Sequence, residues 1–144
     1  MKTIYLILAL FGPLISTAQE HLLKKTTEQV RTAQQEAKIP LTARDYISKS
    51  YRLFDRGPKF SRYDVFHCGN EFDLFCYYKN DTCFSVIARR NISAIDSMRH
   101  ALNLNMVKVK KNLWTNKEGT VKIKLIAYKQ HKLFDLNYFP VNKG

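Results

Sequence analysis

The chain is predicted to be an α+β domain: two N-terminal helices, then an antiparallel sheet of about six strands in the order βββ-α-βββ with one helix packed on it. Three observations carry that prediction. Between Met106 and Phe139, Val107 and Val109 alternate with Lys108 and Lys110, and Val121, Ile123 and Leu125 alternate with Lys122 and Lys124, a period of two that belongs to half-buried strands. Upstream, Arg62–Cys68, Phe72–Tyr78 and Cys83–Arg89 are short aromatic and β-branched runs separated by turn-forming residues. Between the two sets, Ile95, Met98, Ala101 and Leu102 recur at helical spacing.

Taken in order, the chain starts with Lys2, an apolar run from Ile4 to Phe11, and the small residues Ser16-Thr17-Ala18. This is the layout of a signal peptide cleaved after Ala18, which sends residues 19–144 out of the cytosol as one secreted or periplasmic domain. Within it, 19–58 reads as a helical N-terminal part and 62–140 as the sheet-plus-helix core. The apolar run is too short for a spanning helix, and no second one follows.

Leu23, Thr26, Val30, Ala33 and Ala37 give a thin apolar stripe over Glu20–Lys38, ended by Pro40. Thr42 and Asp45 resemble a capping pair for a second helix over Ala43–Phe54, stopped by Gly57-Pro58. Gly69-Asn70-Glu71 closes the first hairpin, which pairs Cys68 with Phe72 and Asp64 with Cys76. Ser93 and Asp96 repeat the capping pattern ahead of a third helix over Asn91–Asn103. Three closing strands follow at Met106–Trp114, Thr120–Tyr128 and Lys132–Phe139, with Asn116-Lys117-Glu118-Gly119 as the first turn. The sequence shows no internal repeat beyond a loose symmetry of three strands, a helix and three strands. In element order alone, the two-helix start and closing meander resemble the cone-shaped folds of the nuclear transport factor 2-like and cystatin-like superfamilies. The extra strand before the third helix departs from them.

Three cysteines in an exported chain favour one disulfide with one thiol over. A turn centred between Lys79 and Asn80 sets Cys76 directly opposite Cys83, so Cys76–Cys83 is the expected pair and Cys68 the thiol left over. Their spacing does not match zinc-site pairs, and no metal or other cofactor is expected.

The chain carries a formal charge of +12, and loss of the single leader lysine lowers it to +11. Such an excess attracts polyanions. The candidate binding surface is the lysine face of the closing strands, Lys108, Lys110, Lys122 and Lys124 with Tyr128 extending the row, and Tyr77, Tyr78 and Trp114 as further aromatic platforms. The competing reading is a solvated outer sheet face. No catalytic motif stands out: His21, His67, His100 and His131 are scattered, and Asp64, Asp73 and Asp135 are the only carboxylates placed inside strands. The favoured function is a non-catalytic domain presenting a basic surface to a polyanion, an anionic envelope component or a protein partner. The alternatives are a hydrolase of an anionic polymer working through His100 or His131, and a subunit of an envelope or export complex. The sequons at Asn80 and Asn91 have meaning only in a eukaryotic host.

Overall fold

The computed structural model describes residues 20–47, 62–69 and 72–141; the leader and most of the expected second helix lie outside this range. A helix, α1 (Thr27–Glu36), is followed by the strands β1 (Leu41–Ile47), β2 (Arg62–Cys68), β3 (Phe72–Lys79) and β4 (Thr82–Asn91). A 3₁₀ turn, Ile92–Ala94, leads into α2 (Ile95–Asn105), and β5 (Val107–Lys110), β6 (Leu113–Thr115), β7 (Val121–Tyr128) and β8 (Leu133–Pro140) complete the chain. The eight strands of the described residues form one antiparallel sheet in the order β1-β2-β3-β4-β8-β7-β6-β5. That order reads alike from either edge. A helix followed by a four-stranded meander occurs twice, and the last strands of the two meanders, β4 and β8, pair at the centre.

The sheet-rich α+β class therefore stands; among the described residues there are eight strands in place of six, in an order unlike the cone-shaped folds, and the start of the expected second helix is a strand. Residues opposite one another in adjacent antiparallel strands share a face. Asp64, Cys76, Val86, Tyr138, Ile123 and Trp114 make one such row, and Phe66, Leu74, Ala88, Leu136 and Leu125 the next. Every one of them is buried, in a single cluster with Val30 of α1 and Met98 and Leu102 of α2, Asp64 apart. Both helices thus cover the same face. Burial of Met98 and Leu102 contributes roughly 1.5–3 kcal/mol each and pins α2 to the sheet.

Several local expectations are corrected. The helix expected over Glu20–Lys38 is interrupted: residues 20–22 are helical, but Lys24 has a positive φ of 69° and the backbone of Lys24 and Lys25 bonds to Cys83, so the helix resumes only at Thr27. Thr26 is the true N-cap, in a reciprocal capping box with Gln29. At the other end Lys38 adopts a left-handed φ of 58°, while its N–H and that of Ile39 reach back to Gln35 and Gln34, a Schellman closure. Thr42 caps no helix. It lies in β1 and donates to the Val65 carbonyl at 3.1 Å, because pairing with β2 outweighs a weak local helical pattern. The single strand expected at Met106–Trp114 is a β5–β6 hairpin, and the cap ahead of α2 is Asn91, whose side chain accepts from the Ser93 amide.

Candidate functional site: a basic cleft beside the second helix

The lysine row does not stay on one face. In β5, Lys108 lies opposite Trp114 and Lys110 opposite Leu113, so one strand contributes an extra residue at Val109. Such a bulge reverses which side the following residues take. Lys110 pairs across Leu113 to Lys124, and Lys122 pairs with Thr115, so these three lysines share the face away from the helices. Lys108 falls on the helix side with Trp114. Tyr128 does extend the Lys122–Lys124 side, but it is only 7 % exposed. Tyr77, Tyr78 and Trp114 are buried as well, so none of the four aromatics offers an open ring for stacking.

Lys108 instead joins a cleft of about 610 Å³ between α2, the β5–β6 hairpin and the end of β7. Its apolar wall is Ile92, Ile95, Trp114 and Ala127; its polar wall is Arg99, Lys108, Lys111 and Lys129 with Asn103 and Asn112. The helix supplies Ile95, Arg99 and Asn103 because residues four apart lie one above another on a helix flank, while Met98 and Leu102 hold the adjoining stripe in the core. The hairpin turns through Lys111 and Asn112, the latter at φ 61°, a left-handed conformation that asparagine tolerates. The Asn112 carbonyl then accepts from the Leu125 amide at 3.0 Å, which ties the hairpin tip to β7.

The polar wall consists of donors. Trp114 Nε1 donates to Asn103 Oδ1 at 2.9 Å, and Arg99 Nη2 donates to Asn112 Oδ1 at 3.5 Å. With both amide oxygens engaged, each asparagine has its NH₂ end left to offer. Among the described residues no carboxylate lines the cleft. Among the described residues, Lys108, Lys111 and Lys129 form no ion pair, and Arg99 reaches only the exposed Asp96 at 3.9 Å. Four cations and two amide donors around one concavity are chemically suited to an oxyanion: charge attracts it, and the amides fix its direction.

The other candidate groups are internally matched and lie apart. Asp64, fully buried, accepts from Arg31 Nε at 2.8 Å, Arg31 Nη2 at 2.9 Å and the Tyr78 hydroxyl at 3.0 Å. Burial, then the neighbouring Cys76 thiol and Asp64 carboxylate, push the Tyr78 phenol up, so it stays protonated and donates. Asp135 receives the fork of Arg89 at 2.8 and 3.0 Å on the opposite face. Burial alone would lower the Arg89 guanidinium, and the Asp135 carboxylate more than reverses this and raises it. Asp73 meets His67 at 2.7 Å. Among the described residues, no three metal-ligating side chains gather, and neither His100 nor His131 lines the cleft.

All three cysteines are thiols, with no disulfide between Cys76 and Cys83. A two-residue turn through Asn80 and Asp81, both at positive φ, and a bulge at Tyr77/Tyr78 set Cys76 opposite Val86 and Cys83 opposite Tyr78. The first hairpin has the expected register, Cys68 with Phe72 and Asp64 with Cys76. Burial, followed by a hydrogen bond with Cys83, pushes the Cys76 thiol well up, so it is a poor nucleophile. Among the described residues no helix is long and apolar enough to cross a membrane.

Arg99, Lys111, Lys129, Asn103 and Asn112 were not legible as a site from alternation alone. The available signals were the Arg99–Asn103 spacing on one helix flank and the doublet Lys110-Lys111 running into an asparagine turn. Comparison with known proteins returns no match to a family model, a curated protein or a solved structure.

Proposed function

We propose that the chain is a secreted or periplasmic domain without chemistry of its own, which holds an anionic partner through the cleft between α2 and the β5–β6 hairpin. The observation that supports this most is the donor-rich wall, with Arg99, Lys108, Lys111 and Lys129 and no acid among the described residues around the space. Like charges gathered this way repel one another, and a bound anion relieves that repulsion. Recognition is of charge and acid geometry rather than of bases, since the nearby aromatic rings are buried.

The test uses heparin as a polyanionic probe and Trp114, the chain's only tryptophan, as an internal fluorophore in the cleft wall. With four cations engaged, log K is expected to fall against log salt with a slope of roughly −3, so raising salt fourfold weakens binding by roughly 60-fold. Lys108→Glu combined with Lys111→Glu abolishes the saturable response at low salt. A flat salt dependence, or an unchanged affinity in that double variant, refutes the reading.

A second reading, a subunit contacting a protein partner, is favoured by one feature. Leu104, Val107 and Val109 are 69, 52 and 53 % exposed at the open edge formed by β5 and the end of α2, and exposed apolar clusters mark contact surfaces. Under that reading Val107→Thr with Val109→Thr abolishes capture of the partner and leaves heparin binding intact.

A further inference from the structure

The helix-plus-meander plan occurs twice, and so does the cleft. In the first half, a space of about 380 Å³ opens between α1 and β1, lined by Arg31, Gln35, Lys38, Leu41, Arg44 and Phe66 among others. Four of these residues, Arg31, Gln35, Leu41 and Phe66, occupy positions that answer to Arg99, Asn103, Lys108 and Trp114 of the α2 cleft. Arg31 and Gln35 are the fifth and ninth residues of α1, as Arg99 and Asn103 are of α2. Phe66, on the second strand of its meander, is a buried aromatic wall as Trp114 is on β6. Each aromatic also faces a first-strand residue lining the same space, Leu41 across from Phe66 and Lys108 across from Trp114. Again no carboxylate lines the space among the described residues.

We infer that the α1–β1 cleft is a second oxyanion site, the counterpart in the first half of the α2 cleft, and takes the same class of acid group. It rests on the reading of the α2 cleft as an anion site. The two are not equal. The fork of Arg31 is directed to Asp64, so the charge comes from Lys38 and Arg44, which are exposed and form no ion pair among the described residues. Gln35 supplies the amide. Lys38 sits in the left-handed closing position of α1 at φ 58°, where glycine is the favoured residue; a glycine there would leave Arg44 as the remaining charge. With two cations in place of four, the first site binds severalfold more weakly than the second.

The experiment titrates isotopically labelled protein with inorganic tripolyphosphate at low salt and follows backbone amide shifts. Two saturable groups of shifts are expected, one over residues 99–112 and a weaker one over residues 35–44. Lys38→Glu with Arg44→Glu removes the second group and leaves the first; Lys108→Glu with Lys111→Glu does the reverse. All four lysine and arginine positions are exposed, so the fold tolerates the changes, and unchanged amide dispersion verifies it. Saturation over 99–112 with silence over 35–44 overturns the inference alone. Saturation over 35–44 with silence over 99–112 overturns the proposed function and leaves the first cleft standing. Shifts over 35–44 that survive Lys38→Glu with Arg44→Glu, or vanish with Lys108→Glu and Lys111→Glu, are transmitted rather than local and also overturn it.

Discussion

Replacing Asp64 by alanine removes a buried carboxylate that accepts hydrogen bonds from the Arg31 guanidinium and the Tyr78 hydroxyl. Deleting one member of a buried ion pair costs about 3–5 kcal/mol. The lower end applies here, because the Arg31 side chain is 25 % exposed and can turn to water. The Tyr78 hydroxyl is buried with its residue at 3 % exposure, and a buried donor deprived of its acceptor accounts for about 1–3 kcal/mol of the loss. In urea unfolding, a loss of about 3 kcal/mol moves the midpoint down by about 1–3 M for an m-value of 1–3 kcal/mol/M. A Tyr78→Phe background removes the stranded hydroxyl, so Asp64→Ala then costs about 1–2 kcal/mol less, a coupling expected of residues in contact. A midpoint shift below about 0.3 M, or a cycle without coupling, would refute the view that this buried fork fastens α1 to the sheet.

Glu20 has its carboxyl pKa raised, first by burial and then by Glu118, against a lowering contact with Asn116. A raised acid favours folding below the unfolded pKa and loses that contribution as pH rises through the folded value. Glu20→Gln therefore raises the melting temperature at neutral pH, and the gain over wild type vanishes in melts run below about pH 4, under the ordinary glutamate range. Asn116 accepts from the Thr120 and Val121 amides at 2.8 and 3.1 Å and donates to the Thr120 hydroxyl at 2.7 Å. Asn116→Ala is expected to cost about 2 kcal/mol in equilibrium unfolding by leaving the β6–β7 turn unsatisfied. With a thiol-specific chromogenic reagent, the half-exposed Cys68 reacts first in native protein, while Cys76 and Cys83 react only on unfolding; equal rates for all three would contradict the burial pattern.

Strands with strong local signals were readable. Arg62–Cys68 and Phe72–Tyr78 emerged with their register because Gly69 closes one short loop and the aromatic runs on either side match. Failures arose where a long-range pairing competed with a local pattern. Thr42 and Asp45 carry a helix-start signature, yet β1 is recruited as an edge strand by β2, an outcome that depends on residues about twenty positions away. The expected register with Cys76 directly opposite Cys83 failed through one bulge and a misplaced turn, although the Asn80-Asp81 dipeptide was itself the signal of a tight turn with two left-handed residues. The lysine row failed for the same reason. Alternation reports which residues share a side only while pairing stays regular, and nothing in Val107-Lys108-Val109-Lys110 marks the irregularity.

The extra residue at Val109 decides how many charges each wall of the molecule receives. Were the ladder instead regular from the Lys110–Leu113 pair onward, Val109 would face Trp114 and Lys108 would face Thr115 beside Lys122, leaving a ribbon with an unbroken cationic exterior and a groove stripped of one of its four grips. Pairing register, not amino-acid content, thus allocates the electrostatics here, and two proteins of identical composition could differ in which side an acidic ligand meets.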